Sequence, residues 1–277
     1  MRRQIVIHQF NAPDASLVEL IAMASANDCD MVSIFGFNGA SVLPPRNASL
    51  AYPQAVTAEN KREVMQALSD LGVSLDGIEF FPITAAVDFD VYRPALAQAR
   101  EMGARRAVSH IFIEEDAHVI DRLGRFCELA GAEGLKVSTE FCPMTPGNPS
   151  LARARWLVDQ VGADNFGIGL DVLHLIRSGG TPADVAALDP RSIAAVQICD
   201  ARGAHASSDY MADVHNREVP GQGDLPIREF LEAVPASFPI EVEVPAAHRR
   251  AAGVTAAEHV RDVLAAARTI IETLGSA

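Results

Sequence analysis

The sequence predicts an α/β fold in which eight strand and helix pairs close into a single-domain (β/α)8 TIM barrel over residues 1–277. Three observations predict it. Short apolar runs alternate with amphipathic helical stretches from one end of the chain to the other, the pattern of a parallel sheet covered by helices. The length of 277 residues suits such a barrel, which takes about 250. A doubly wound open sheet should carry a Gly-rich nucleotide turn after its first strand, and Phe10-Asn11-Ala12-Pro13-Asp14 is not one. No Gly-, Ser- or Pro-rich linker divides the chain, so one domain is expected.

In chain order the strands are expected at Ile5 to Phe10, Met31 to Phe35, Val73 to Phe80 and Arg106 to Ile113, then at Leu135 to Glu140, Phe166 to Leu170, Ala194 to Ile198 and Pro239 to Val244. The helices carry their own punctuation. Ser16 with Glu19 reads as a capping box opening the first, Thr255 with Glu258 opens the last, and Thr181 followed by Pro182 is an N-cap with proline at the first helical position. In the last helix Val260, Val263, Leu264, Ala267, Ile271 and Leu274 form one apolar stripe for the barrel wall, with Arg261, Asp262 and Arg268 on the other side. The longest irregular stretches, Gly36 to Thr57 and Cys199 to Leu225, follow the second and seventh strands, on the face where barrel enzymes carry substrate loops.

Composition narrows the function. Twenty-three Lys and Arg against 36 Asp and Glu give a formal charge of −13, and the basic residues do not cluster, which excludes a nucleic-acid partner. The four cysteines form no CxxC pair and suit a reducing cytosol. The apolar stretch after the basic opening is broken at His8 and Gln9, so no export signal is expected. No apolar run is long enough to span a bilayer. A cytoplasmic protein acting on a small molecule follows, and homo-oligomerisation is compatible with this composition.

Four polar residues stand at strand ends where a packed core would not want them: Glu140, Asp171, Gln197 and Glu243. Three carboxylates converging at the top of a barrel repel one another in a low dielectric, and a divalent cation is the simplest resolution. All four offer oxygen, so Mn²⁺ is expected, with Mg²⁺ or Co²⁺ as alternatives. Glu241 shares a face with Glu243, because strand side chains alternate, and spacing alone does not separate them. Arg217, in the loop after the seventh strand, stands where a substrate carboxylate or phosphate would dock. His110 ends the fourth strand as a further substrate-binding candidate, and His8 and Glu79 on the first and third strands are of second rank.

From Glu140 onward the chain resembles the sugar phosphate isomerase/epimerase family of xylose isomerase-like barrels. The matching segments are Ser-Thr-Glu140, Gly-Leu-Asp171-Val-Leu-His174, Val-Gln197-Ile-Cys-Asp200, Arg217-Glu-Val-Pro-Gly-Gln-Gly223-Asp and Val-Glu243-Val-Pro. The first half matches only in its strand and helix rhythm. The resemblance implies metal binding by Glu140, Asp171, Gln197 and Glu243, proton handling by Glu140 and Glu243, and orientation of a substrate oxygen by His174. The family's Glu-Val-Pro favours Glu243 over Glu241. It further implies an isomerase or epimerase of a small polyhydroxylated keto compound, sugar or cyclitol, working through an enediolate.

Gln197 departs from the His that the sugar epimerases usually carry and occurs in other branches, including bacterial 3-dehydroshikimate dehydratases. A metal-dependent dehydratase of the 3-dehydroshikimate or inosose type is therefore the alternative. A non-catalytic metabolite-binding barrel is a third reading. Endonuclease IV, of the same superfamily, needs more His ligands than these strand ends supply. Since the barrel core is not expected to depend on Asp171, Asp171→Asn should leave the fold intact.

Overall fold

The computed structural model describes residues 3–43, 52–203 and 209–274; the parts of the two long irregular stretches at 44–51 and 204–208, with the basic opening at 1–2, lie outside them. Eight parallel strands close into a barrel in sequence order: β1 (Ile5–His8), β2 (Met31–Phe35), β3 (Ser74–Ile83), β4 (Arg106–Ile111), β5 (Lys136–Glu140), β6 (Phe166–Asp171), β7 (Ile193–Ile198) and β8 (Ile240–Val242). The seam is closed by β1 on β8, with Ile5 opposite Ile240 and Ile7 opposite Val242.

Among the described residues the α-helices are α1 (Leu17–Ala26), α2 (Lys61–Leu71), α3 (Arg93–Glu101), α4 (Asp116–Ala132), α5 (Leu151–Val161) and α6 (Val172–Arg177). They continue as α7 (Pro182–Ala186), α8 (Tyr210–His215), α9 (Ile227–Glu232), α10 (Ala247–Ala251) and α11 (Ala256–Leu274). None is long and apolar enough to cross a membrane.

The expected capping signals form. Ser16 Oγ accepts from the Glu19 amide while Glu19 accepts from the Ser16 amide, and Thr255 and Glu258 do the same at the start of α11. Thr181 caps α7 with Pro182 in its first turn, and Asp184 completes a box there. The α11 stripe is buried at Val260, Val263, Leu264 and Ala267, while Arg268 donates to the carbonyl of Asn27 at 2.6 Å and ties the last helix to the end of α1.

The first strand ends two residues earlier than its apolar run. His8 Nδ1 accepts from the Phe10 amide at 3.2 Å, turning Gln9–Asn11 into a 3-10 turn, and Asn11 Nδ2 donates to the carbonyls of His8 and Val242 at 2.8 and 2.7 Å. A side-chain acceptor at the strand end competes with the ladder and wins.

The floor of the barrel is polar. Arg106, at the start of β4, donates to Asp76 at 3.0 Å and Ser33 at 3.2 Å and pairs with Glu241. Gly77 makes room for it: a Cβ there would lie 2.6 Å from Ser33 Oγ and 2.9 Å from Arg106 Cζ.

Candidate metal-binding active site

At the opposite, carboxyl-terminal end of the strands, register places the candidate residues side by side. Asp171 of β6 lies opposite Gln197 of β7, and Glu140 of β5 lies opposite Gly169 of β6. Glu243 follows β8 by one residue.

Asp171 organises its surroundings. Its Oδ1 accepts from the amides of Leu173 at 2.6 Å and His174 at 3.3 Å, making it the N-cap of α6. That single turn explains the Asp-x-x-His spacing, because it brings His174 Nε2 to 3.3 Å from Glu140 Oε1. The other ring nitrogen of His174 shares a 2.5 Å hydrogen bond with Tyr210. Asp171 Oδ2 accepts from Arg217 at 2.7 Å, and the same guanidinium nitrogen donates to the Glu243 carbonyl at 3.2 Å and lies 3.6 Å from its carboxylate. Gln197 Nε2 donates to Glu243 at 3.2 Å, which leaves the Gln197 carbonyl oxygen free of that bond. An unbroken chain of contacts thus runs Glu140, His174, Asp171, Arg217, Glu243, Gln197.

Arg217 is held there by the loop chemistry of the Pro-Gly-Gln-Gly-Asp turn. Asp200 pairs with Glu218 by two backbone bonds, and its carboxylate accepts from the amides of Gly221 and Leu225. Gly221 takes a φ of +86°, and a Cβ on Gly223 would meet Asp200 Oδ1 at 2.3 Å, so both glycines serve the turn.

The electrostatics follow from burial. Burial would raise the Asp171 carboxyl, but Arg217 and His174 hold it below its ordinary value. Burial pushes the Glu243 carboxyl up further than Arg217 and His8 pull it down. Burial works against a charge on His174, and Cys142, Tyr210 and Asp171 outweigh it, raising its pKa.

Glu140, Glu243, His174 and His110 face one cavity of about 260 Å³, with His110 Nε2 3.5 Å from Glu140. Asp171, Gln197 and Arg217 are buried and do not belong to its lining. Arg217 is only 1% exposed, so the carboxylate or phosphate partner expected for it from the sequence is replaced by Asp171 and Glu243. Glu241 pairs with Arg106 at the floor and Glu243 reaches the cavity, which separates the two glutamates that spacing could not. The sequence did not single out Tyr210, Cys142 or His215. His215 lines the cavity as well, its pKa lowered by burial and by Arg217 and Arg250.

Among the described residues, two groups of three buried side chains hold their ligand atoms within 4.8 Å of one another: Glu140, Asp171 and His174 beside the cavity, and His8, Glu79 and Glu241 inside the barrel. The first group suits a divalent cation. Glu140 Oε1 is buried and makes no hydrogen bond, with His174 Nε2 3.3 Å away, and together with the neighbouring Glu243 the site's three carboxylates outnumber its one guanidinium. His174 joins Glu140 and Asp171 in this group, a place the sequence reading did not give it.

The family profile described as xylose isomerase-like TIM barrel matches residues 29–267. No curated protein matches the chain. Among solved structures, the IOLI protein with a binding zinc atom superposes with a TM-score of 0.79 at 15% identity over 99% of both chains. A D-psicose 3-epimerase in the presence of D-fructose gives 0.72 at 13% identity, over 99% of this chain and 100% of that one. A xylose isomerase-like TIM barrel/4-hydroxyphenylpyruvate dioxygenase fusion protein gives 0.79 at 21% identity, over 96% of this chain and 42% of that one, so the chain spans less than half of it. At these identities the likenesses establish the fold.

Proposed function

The chain belongs to the xylose isomerase-like TIM barrel family, and from that premise we propose that it is a divalent-metal-dependent isomerase or epimerase of a small hydroxylated keto compound of sugar or cyclitol type. One observation carries the reading: Glu140 and Glu243, from the ends of β5 and β8, face a single small cavity, and the buried Glu140 Oε1 has no hydrogen-bond partner. The zinc atom of the IOLI structure and the epimerase activity named for a second neighbour support it. Glu140, Asp171, Gln197 and Glu243 would hold the ion, with Mn²⁺ as first choice, and when bound it would supply Lewis-acid polarisation of a carbonyl and its adjacent hydroxyl.

The chain's own groups do the proton work. Strands β5 and β8 stand three steps apart around the ring, so Glu140 and Glu243 approach a substrate from different sides. One carboxylate takes the proton from the carbon beside the carbonyl, and the other returns a proton to the opposite face. Burial raises the Glu243 carboxyl, and a bound cation would draw it back down and favour the carboxylate that serves as base. His174, held by Tyr210, orients a substrate oxygen.

Elemental analysis of the purified protein, then assay of hydroxyketones in D₂O with manganese supplied, tests this. Solvent deuterium should appear on the carbon next to the carbonyl. Product without solvent label there, once intramolecular transfer is excluded, sinks the two-glutamate mechanism. Gln197 keeps the dehydratase reading open, and product mass separates it, since dehydration removes one water. A metal-loaded protein that binds hydroxyketones without exchanging their protons is instead a metabolite-binding barrel.

A further inference from the structure

The cavity has two unlike halves. The second half of the barrel supplies Glu140, Glu243 and His174, whereas the first half supplies Glu79 and His110 together with an apolar wall of Phe10, Leu43, Tyr52, Phe80 and Phe112. These rings form a continuous wall through Phe35: Phe10 meets Phe35 at 5.0 Å, Phe35 meets Tyr52 at 6.0 Å, Tyr52 stacks on Phe80 at 5.2 Å, and Phe80 meets Phe112 at 6.4 Å. Of the polar groups that reach the cavity from β3 and β4, Glu79 pairs with His8 at 3.1 Å, and His110 lies 3.5 Å from Glu140 with its ring 4.4 Å from that of Phe80. Among the described residues no Lys or Arg lines the cavity, and Arg217 is engaged by Asp171.

We infer that the substrate is an uncharged ring ketone, oxygenated along one edge and bare along the other, with its C–H face against Phe80 and Tyr52. This rests on the isomerase reading and specifies its substrate class. A hydroxyl pressed on the faces of Phe10, Phe80 or Phe112 would lose its water partners without replacement, so an open chain hydroxylated at every carbon is disfavoured. A carboxylate or phosphate would meet Glu79, Glu140 and Glu243 with no described guanidinium or ammonium in the lining, leaving the cation alone to offset the repulsion. The volume of about 260 Å³ lies below that of drug-sized pockets, about 300–1,000 Å³, and suits a single small ring.

Calorimetric titration of the manganese-supplied protein with 2-hydroxycyclohexanone, L-erythrulose and 3-dehydroshikimate tests the inference. The uncharged ring should bind about tenfold or more tighter than the open chain and the carboxylated ring, the scale of an aromatic contact with lost polar pairing removed. Phe80→Leu should cut that affinity severalfold and leave L-erythrulose within twofold. Tyr52→Leu gives the same reading should Phe80→Leu fail to fold. Equal or tighter binding of L-erythrulose or 3-dehydroshikimate overturns the inference, as does ring affinity indifferent to both wall variants, or no binding by any of the three. Deuterium exchange is read separately. Its appearance with any hydroxyketone leaves the isomerase reading standing when ring preference fails, and its absence sinks that reading without touching the affinities.

Discussion

At the scale of single residues, Asp171 serves two masters: one oxygen caps α6 and the other holds Arg217. Asp171→Asn keeps a good N-cap but loses the ion pair, so it should lower stability as well as metal binding while the fold survives, as expected from the sequence. Arg217→Ala strips the buried countercharge from Asp171 and Glu243, and urea unfolding should show a loss of about 3–5 kcal/mol. Glu140→Gln retains an oxygen for the ion and removes a base, so turnover should fall by a factor on the order of 10² to 10⁴ with a smaller change in metal content by elemental analysis. Equal losses in both would assign Glu140 to binding alone. The Asp171-x-x-His174 spacing was legible because one helical turn relates the two residues. The destination of Arg217 was not, because its partner lies 46 residues away in sequence and only the β6 and β7 loops bring them together.

At the scale of elements, the helix signals were legible because caps are local chemistry, as Ser16 with Glu19 and Thr255 with Glu258 demonstrate. Strand ends were less so: the apolar run Ile5 to Phe10 hides an imidazole that turns the chain at His8. Helix α11 is fastened to the end of β8 through His259, whose Nε2 hydrogen-bonds the Val244 carbonyl at 2.8 Å. Burial, with Arg249 and Arg250 nearby, outweighs that hydrogen bond and holds the His259 pKa below 6.5, so the unfolded chain takes up this proton first. The contribution is complete above pH 6.5 and declines as pH falls from there toward the folded-state pKa. Thermal melts between about pH 5 and 7.5 should therefore slope more steeply in the wild type than in His259→Gln. Parallel slopes would show that His259 titrates alike in both states.

At the scale of the whole molecule, the barrel was legible from rhythm and length. The aromatic wall on one side of its cavity was not. Phe10, Tyr52 and Phe80 sit on separate strands or loops, and nothing local in the sequence says that ring closure will line them up opposite Glu140 and Glu243. A cation that binds only the folded barrel should stabilise it by mass action, about 2.7 kcal/mol at a hundredfold excess over Kd. Melting with and without manganese should show a rise, reduced in Asp171→Asn. An unchanged melting temperature at saturating manganese would mean that the site does not bind the ion.

The β1–β8 seam joins residues about 235 positions apart, and it sets an order in time. During synthesis the earlier strands emerge long before β8 exists, so the sheet has two open edges until the last strand arrives. Glu243 comes with that strand, which makes the completion of the cavity and the closing of the ring a single event. Nascent or truncated chains lacking β8 would be edge-sticky and inert together, and recovery of catalysis during refolding should keep pace with the last, long-range step rather than with early helix formation.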